Sequence, residues 1–265
     1  MKLFGKTLAG AIAGAALMTT FATAREGAPL SLGVTAGPVA LLIDSVAQRA
    51  RSKGLNVKVV EFSDWVSPNV AVDAGDLDAN FFQHATYLAQ QNKARGFNLI
   101  QADPGGIIGP VGLFSRKYKS IDAVPNGAQV AIPNDPVNGA RGLILLEKAG
   151  LIKLTPGKGI QVTTADIVDN PRKLRIIELD PGQVYRSLDD VGLASVNFTS
   201  LVLAGGDPKS ALIADLTTDE KFVFRFVTRP DRTNDPQLKA FIAEFKSPET
   251  LKFIEARLPA FIPAW

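Results

Sequence analysis

Few residues of this 265-residue chain can do chemistry, and their scarcity narrows the field. His84 is the only histidine, and cysteine is absent. A Ser-His pair would have to use His84, and no G-x-S-x-G elbow accompanies it. Without cysteine there is no thiolate nucleophile, and a zinc site of cysteines or several histidines is excluded. Gly105-Gly106 and Gly205-Gly206 lack the spacing that cradles a phosphate. Asp76 and Asp78, split by Leu77 alone, read as solvated turn acids rather than a catalytic pair. A hydrolase or transferase therefore has no constellation to stand on. Neither enzymatic activity nor a cofactor or metal is expected.

Three segments concentrate the polar and aromatic groups that remain. Asn80-Phe81-Phe82-Gln83-His84-Ala85-Thr86-Tyr87 clusters aromatics and amides at the end of a strand. Pro133-Asn134-Asp135-Pro136-Val137-Asn138-Gly139-Ala140-Arg141 is a polar loop that opens a helix. Ser195-Val196-Asn197-Phe198-Thr199 follows another strand. Turn chemistry accounts for much of this, and Asn138 can be a helix N-cap. Arg141 is different, because a cation in the first turn of a helix opposes the helix dipole. Its place there points to an anionic partner, such as a carboxylate gripped bidentately.

The elements that must position these segments alternate. Strands are expected at Leu30–Val34, Asn56–Glu61, Asp78–Phe81, Leu99–Ala102 and Val111–Phe114, the last two on either side of a Pro104-Gly105-Gly106 break. Helices are expected at 38–53, 68–74 and 87–95 between them. The theme restarts with strands at 129–132, 159–162, 174–179 and 193–196 and helices at 138–149 and 182–188, with a brief helical turn at 164–167. A strand at 221–228 and helices at 236–245 and 248–258 close the chain. Strands alternating with helices point to an α/β fold of βαβ units with largely parallel sheets. Two such series imply two lobes, and a cleft between them is a natural ligand site.

The N-terminus carries an export signature. Lys2 and Lys6 precede an apolar stretch from Leu8 to Met18, and Ala22-Thr23-Ala24 fits the small-residue cleavage pattern, making Arg25 the first mature residue. The stretch is shorter than the roughly 20 residues a membrane span needs. A lipoprotein would require cysteine at the mature N-terminus, so a soluble periplasmic protein is expected. Of 29 basic residues the leader takes two lysines and no acid, leaving 27 against 26 acidic. That near-neutral balance, without basic clusters, gives no footprint for nucleic acid.

The same segments resemble the NlpA/MetQ family of methionine-binding proteins that feed ABC importers. Glu61-Phe62-Ser63-Asp64-Trp65-Val66-Ser67-Pro68-Asn69 is similar to its E-F-T-D-Y-V-x-P-N stretch. Gly75-Asp76-Leu77-Asp78-Ala79-Asn80-Phe81-Phe82-Gln83-His84 matches its G-D-L-D-A-N-x-F-Q-H signature. Val130-Ala131-Ile132-Pro133-Asn134-Asp135-Pro136, with Asn138-Gly139 and Arg141, matches V-A-I-P-N-D-P-x-N-G-x-R. Gly33 to Pro38, Arg186 to Asp190 and Ile262-Pro263-Ala264-Trp265 agree as well, so the resemblance runs nearly the whole mature length.

The resemblance implies a type II periplasmic-binding-protein fold, two α/β lobes with a ligand cleft between them. Residues 25–112 and 226–265 would form one lobe and 113–225 the other, after removal of the signal peptide 1–24. It places Trp65, Phe82, His84 and Tyr87 around a methionine side chain, Arg141 at the α-carboxylate, and Asn138 and Asn197 nearby. Phe224 stands where the family carries a further Asn, and Phe198-Thr199-Ser200 replaces its Gly-Asn-Tyr. The implied partners are methionine or a related amino acid or small peptide and an inner-membrane ABC permease, with the receptor monomeric. The alternative is the same fold diverged to a non-amino-acid ligand or a surface or signalling role.

Overall fold

A computed structural model describes residues 28–265; the leader and its cleavage site lie outside the described residues. In chain order the first part comprises β1 (Leu30–Thr35), α1 (Pro38–Ser52), β2 (Val57–Phe62), α2 (Ser67–Ala74), β3 (Ala79–His84), α3 (Ala85–Arg95) and β4 (Ile100–Ile108). Next come β5 (Val111–Phe114), β6 (Gln129–Pro133), α4 (Pro136–Lys148), β7 (Lys153–Leu154), β8 (Ile167–Asp169), β9 (Arg175–Leu179), α5 (Pro181–Val184), β10 (Leu193–Asn197), α6 (Phe198–Leu203) and β11 (Ile213–Asp215). The chain ends with β12 (Val223–Thr228), α7 (Pro236–Phe245), α8 (Pro248–Arg257) and β13 (Ile262–Ala264).

Two mixed sheets result. The six-stranded sheet has the order β13-β4-β12-β3-β1-β2, and the five-stranded sheet β11-β5-β10-β6-β9. Within the first, β1 runs parallel to β2 and β3, whereas β12 is antiparallel to both β3 and β4. Within the second, β6 is parallel to β9 and β10, and β5 is antiparallel to β10 and β11. The chain passes from the first sheet to the second between Ile108 and Val111 and returns between Asp215 and Val223.

Sequence pattern explains the individual elements. Val39, Leu42, Ile43, Val46, Ala47 and Ala50 of α1 recur at helical spacing and are all buried, and Pro38 sits in its first turn where the missing N–H costs nothing. β1 and β3 are buried along nearly their whole length because helices cover the sheet. Phe81, Phe226 and Phe245 form the heart of the first core, with ring centroids 4.6 to 5.2 Å apart. A second core centres on Leu113, Val130, Ile132, Leu143, Leu146 and Leu193.

Several local expectations are corrected. The Pro104-Gly105-Gly106 segment does not break a strand; β4 runs through it. Arg225 pairs with Gly106 and Val227 with Gln101, so residues 102–105 bulge from the ladder. Glycine is required at 106, where a Cβ would lie 1.7 Å from the Phe224 carbonyl oxygen. The expected strand at 159–162 is a short 3-10 turn, because Gln161 donates its N–H to the Lys158 carbonyl and no strand lies alongside. Helix α4 starts at Pro136, two residues early, because Asp135 and not Asn138 is its N-cap.

Candidate functional site

The sheets meet where the parallel strands end. Thr35 closes β1, His84 closes β3 and Asn197 closes β10, and α3, α4 and α6 start beside them. Open α/β sheets gather their ligand groups at these carboxyl ends. A narrow cavity lies there, lined by Trp65, Phe82, His84, Tyr87 and Phe224 from one side and Asn138 and Asn197 from the other. Seven of the eight residues singled out from sequence are thus brought together. Arg141 is not among the lining residues; it is buried against Phe222, whose ring also meets the cavity residue His84.

Tyr87 is the centre of the aromatic wall. Its ring meets Trp65, Phe82 and His84 edge-on at centroid distances of 6.3, 6.1 and 6.3 Å. Its hydroxyl donates to the Trp65 carbonyl at 3.0 Å. Burial, with help from Asp135, raises the phenol far above its usual value, so it stays a neutral donor. The turn carrying Trp65 is fixed by Asp64, whose Oδ1 accepts from the Val66 and Ser67 N–H groups at 2.7 Å.

His84 both caps α3 and faces the cavity. Its Nδ1 accepts from the Tyr87 N–H at 3.1 Å, so the proton of the neutral ring belongs on Nε2. Burial, reinforced by the positive charge of Arg141, pulls its pKa from 6.5 to about 3, with the Asn138 carboxamide opposing. His84 is therefore neutral, and its Nε2–H is buried near the Asn138 carboxamide without a well-formed hydrogen bond.

On the opposite side, Asp135 accepts from the Asn138 N–H at 2.9 Å and from Asn138 Nδ2 at 3.0 Å. Asn138 Oδ1 in turn accepts from Asn197 Nδ2 at 3.2 Å. These bonds orient both amides along the cavity wall. Because α4 begins at Pro136, Arg141 stands in its second turn, and the dipole argument for an anionic partner loses its basis. A stronger one replaces it. Arg141 is 4% exposed, and its Nε, Nη1 and Nη2 have no hydrogen-bond partner. Burial lowers its pKa from 12.5 to about 10, opposed by Asp215 and Asp135, so it remains a cation. A buried, unpaired guanidinium is costly unless an anion meets it.

Behind the aromatic wall lies a closed amide triad. Asn69 Nδ2 donates to Gln83 Oε1 at 2.9 Å, Gln83 Nε2 to Asn80 Oδ1 at 3.0 Å, and Asn80 Nδ2 to Asn69 Oδ1 at 2.8 Å. The triad ties α2 to β3 and so holds the Trp65 turn against Phe82 and His84. Thr35, Gln83 and Thr199 also line the cavity and were not selected from sequence. The strand-end rule that marks His84 and Asn197 would have found Thr35. Among the described residues, no cluster of three or more His, Cys, Asp or Glu side chains can hold a metal.

Two facing mixed sheets with a cavity at their strand ends define a substrate-binding protein of the type II periplasmic class. The family model described as NlpA lipoprotein matches residues 30–265, and the chain belongs to that family. It is 41% identical to the D-methionine-binding lipoprotein MetQ of Salmonella typhimurium over 223 residues, 83% of this chain and 82% of that protein. It is 37% identical to outer membrane lipoprotein 2 of Mannheimia haemolytica over 259 residues, 95% of this chain and 94% of that protein. The solved nutrient-binding protein from Burkholderia cenocepacia bound to methionine superposes with a TM-score of 0.84 at 37% identity, covering 89% of this chain and 100% of that one. The crystal structure of the methionine binding protein MetQ gives a TM-score of 0.85 at 37% identity, with 89% and 98% covered.

Proposed function

We propose that this chain is the solute-binding receptor of an ABC importer and captures methionine or a close amino-acid relative in the interlobe cavity. The observation that carries the proposal is Arg141, a buried cation whose three nitrogens have no partner. An α-carboxylate supplies what it lacks, in a bidentate pair. Asn138, Asn197 and the His84 Nε2–H are the polar groups for the rest of the ligand backbone. Trp65, Phe82, Tyr87 and Phe224 form the wall for its side chain, which suits a thioether, since sulfur packs favourably at ring edges.

The two sheets with their helices are the two lobes, residues 28–110 with 223–265 and residues 111–222, both crossings moved by two or three residues from the sequence expectation so that β5 and β12 stay whole. The receptor works in the periplasm as a monomer, delivers its ligand to a membrane permease and catalyses no reaction. Thermal-shift titration with an amino-acid panel tests the ligand class, because a ligand stabilises by RT ln(1 + [L]/Kd). A rise in Tm with methionine is expected. No shift with any amino acid or methionine peptide would favour a non-amino-acid ligand, which mass spectrometry of co-purified compounds would identify.

A further inference from the structure

Arg141 raises a question that its missing partners do not answer: what holds it in place. A free arginine side chain carries roughly 2 kcal/mol of rotamer entropy, and a clamp that must reach a carboxylate cannot wander. Asp215 and Asp135 attract it at a distance, yet neither hydrogen-bonds to it. The contact on it is Phe222, over whose ring the Arg141 Cζ lies 4.3 Å from the centroid. Phe222 is itself buried and firmly placed. It ends a 3-10 turn, Glu220–Phe222, whose start is capped by the Asp219 side chain accepting from the Lys221 N–H. The Lys221 carbonyl accepts from the Thr86 hydroxyl at 3.0 Å. Its ring also meets His84 edge-on at 5.3 Å.

We propose that Phe222 is a positioning residue of the ligand site, an aromatic shelf that fixes the Arg141 guanidinium while leaving its hydrogen bonds unspent for the ligand. This rests on reading the cavity as an amino-acid site. A carboxylate or carbonyl shelf would compete with the ligand for the N–H donors. An aromatic face attracts the cation through its ring quadrupole and takes none of them. Because Phe222 lies on the segment that returns the chain to the six-stranded sheet, one ring sets Arg141 against His84 across the cleft.

Two measurements on ligand-stripped protein test this. Calorimetry with L-methionine is expected to show Phe222→Leu binding roughly ten- to thirty-fold more weakly, the size of a desolvated cation–π contact, and Phe222→Tyr within about threefold of the unmodified protein. Urea unfolding of the unliganded protein with Phe222→Leu, Arg141→Met and the double substitution should be non-additive by roughly tenfold in the unfolding constant. Phe222→Leu binding methionine as well as the unmodified protein, Phe222→Tyr failing equally, or strict additivity in the cycle would each overturn the proposal. Should the unmodified protein not bind methionine, the ligand class falls and the unfolding cycle alone decides whether the shelf exists.

Discussion

Arg141→Met should make the protein more stable and useless as a receptor. The guanidinium is 4% exposed and none of its three nitrogens is hydrogen-bonded. Its pKa falls from 12.5 to about 10, which at 1.36 kcal/mol per unit is a net penalty of about 3 kcal/mol on the charged form, with the attraction of Asp215 and Asp135 already included. Methionine has nearly the same length and keeps an apolar contact with Phe222, so the charge is removed with little change of shape. Lost packing and the lost cation–π contact with Phe222 together offset about 1–2 kcal/mol. The ligand-free protein should gain about 1–2 kcal/mol, a rise in Tm of roughly 2–8 °C for a chain of this size. Methionine binding should weaken by about 2–5 kcal/mol, from roughly thirtyfold to beyond detection, because the carboxylate loses its charged partner. Urea and thermal unfolding of ligand-stripped protein, beside calorimetry, measure both. A variant clearly less stable than the parent would mean that the guanidinium is already compensated without ligand, and retained affinity would remove Arg141 from the site.

Three further outcomes follow from the same geometry. His84 has a folded-state pKa near 3 against 6.5 unfolded, so the unfolded chain takes up the proton first as the pH falls. Its effect is nil above pH 6.5 and destabilises progressively down to about pH 3, by about 2 kcal/mol at pH 5; His84→Asn, which keeps a capping acceptor, should flatten that part of the urea-unfolding profile. Asn69→Ala leaves Gln83 Oε1 buried without its donor and Asn80 Nδ2 with only the Pro68 carbonyl, and should cost about 1–3 kcal/mol in urea unfolding at pH 7. Gly37 has a φ of +97°, and a Cβ there would lie 2.9 Å from Leu203 Cβ on α6, across the cleft. Gly37→Ala should weaken methionine binding by roughly tenfold or more as closure meets the clash and strain of ~1–3 kcal/mol, and adding Leu203→Ala should restore part of it.

Most of the site was readable before the fold because its residues cluster in three short segments at strand ends. Phe82, His84 and Tyr87 are close in sequence, as are Asn138 and Arg141, so local pattern marked these segments, while Trp65, Phe224 and the roles of all of them came from the family resemblance. Phe222 carried no such signal: it reads as one more apolar residue entering a strand, and only the return of β12 to the first sheet sets it under Arg141. The β4 segment was misjudged because Pro104-Gly105-Gly106 marks a turn by propensity, while Gly106 is there for the close passage of the Phe224 carbonyl. Tertiary contact overrode local preference. Helix α6 was likewise invisible, since Phe198-Thr199-Ser200-Leu201 follows β10 without a turn residue.

The most direct test is calorimetry of the ligand-stripped protein with methionine and with methioninamide, which differs in lacking the carboxylate charge. Micromolar or tighter binding of methionine, with the amide weaker by roughly a hundredfold or more, is the expected result for a carboxylate held on a buried arginine. Equal affinity for the two compounds, or no heat with either, would contradict it.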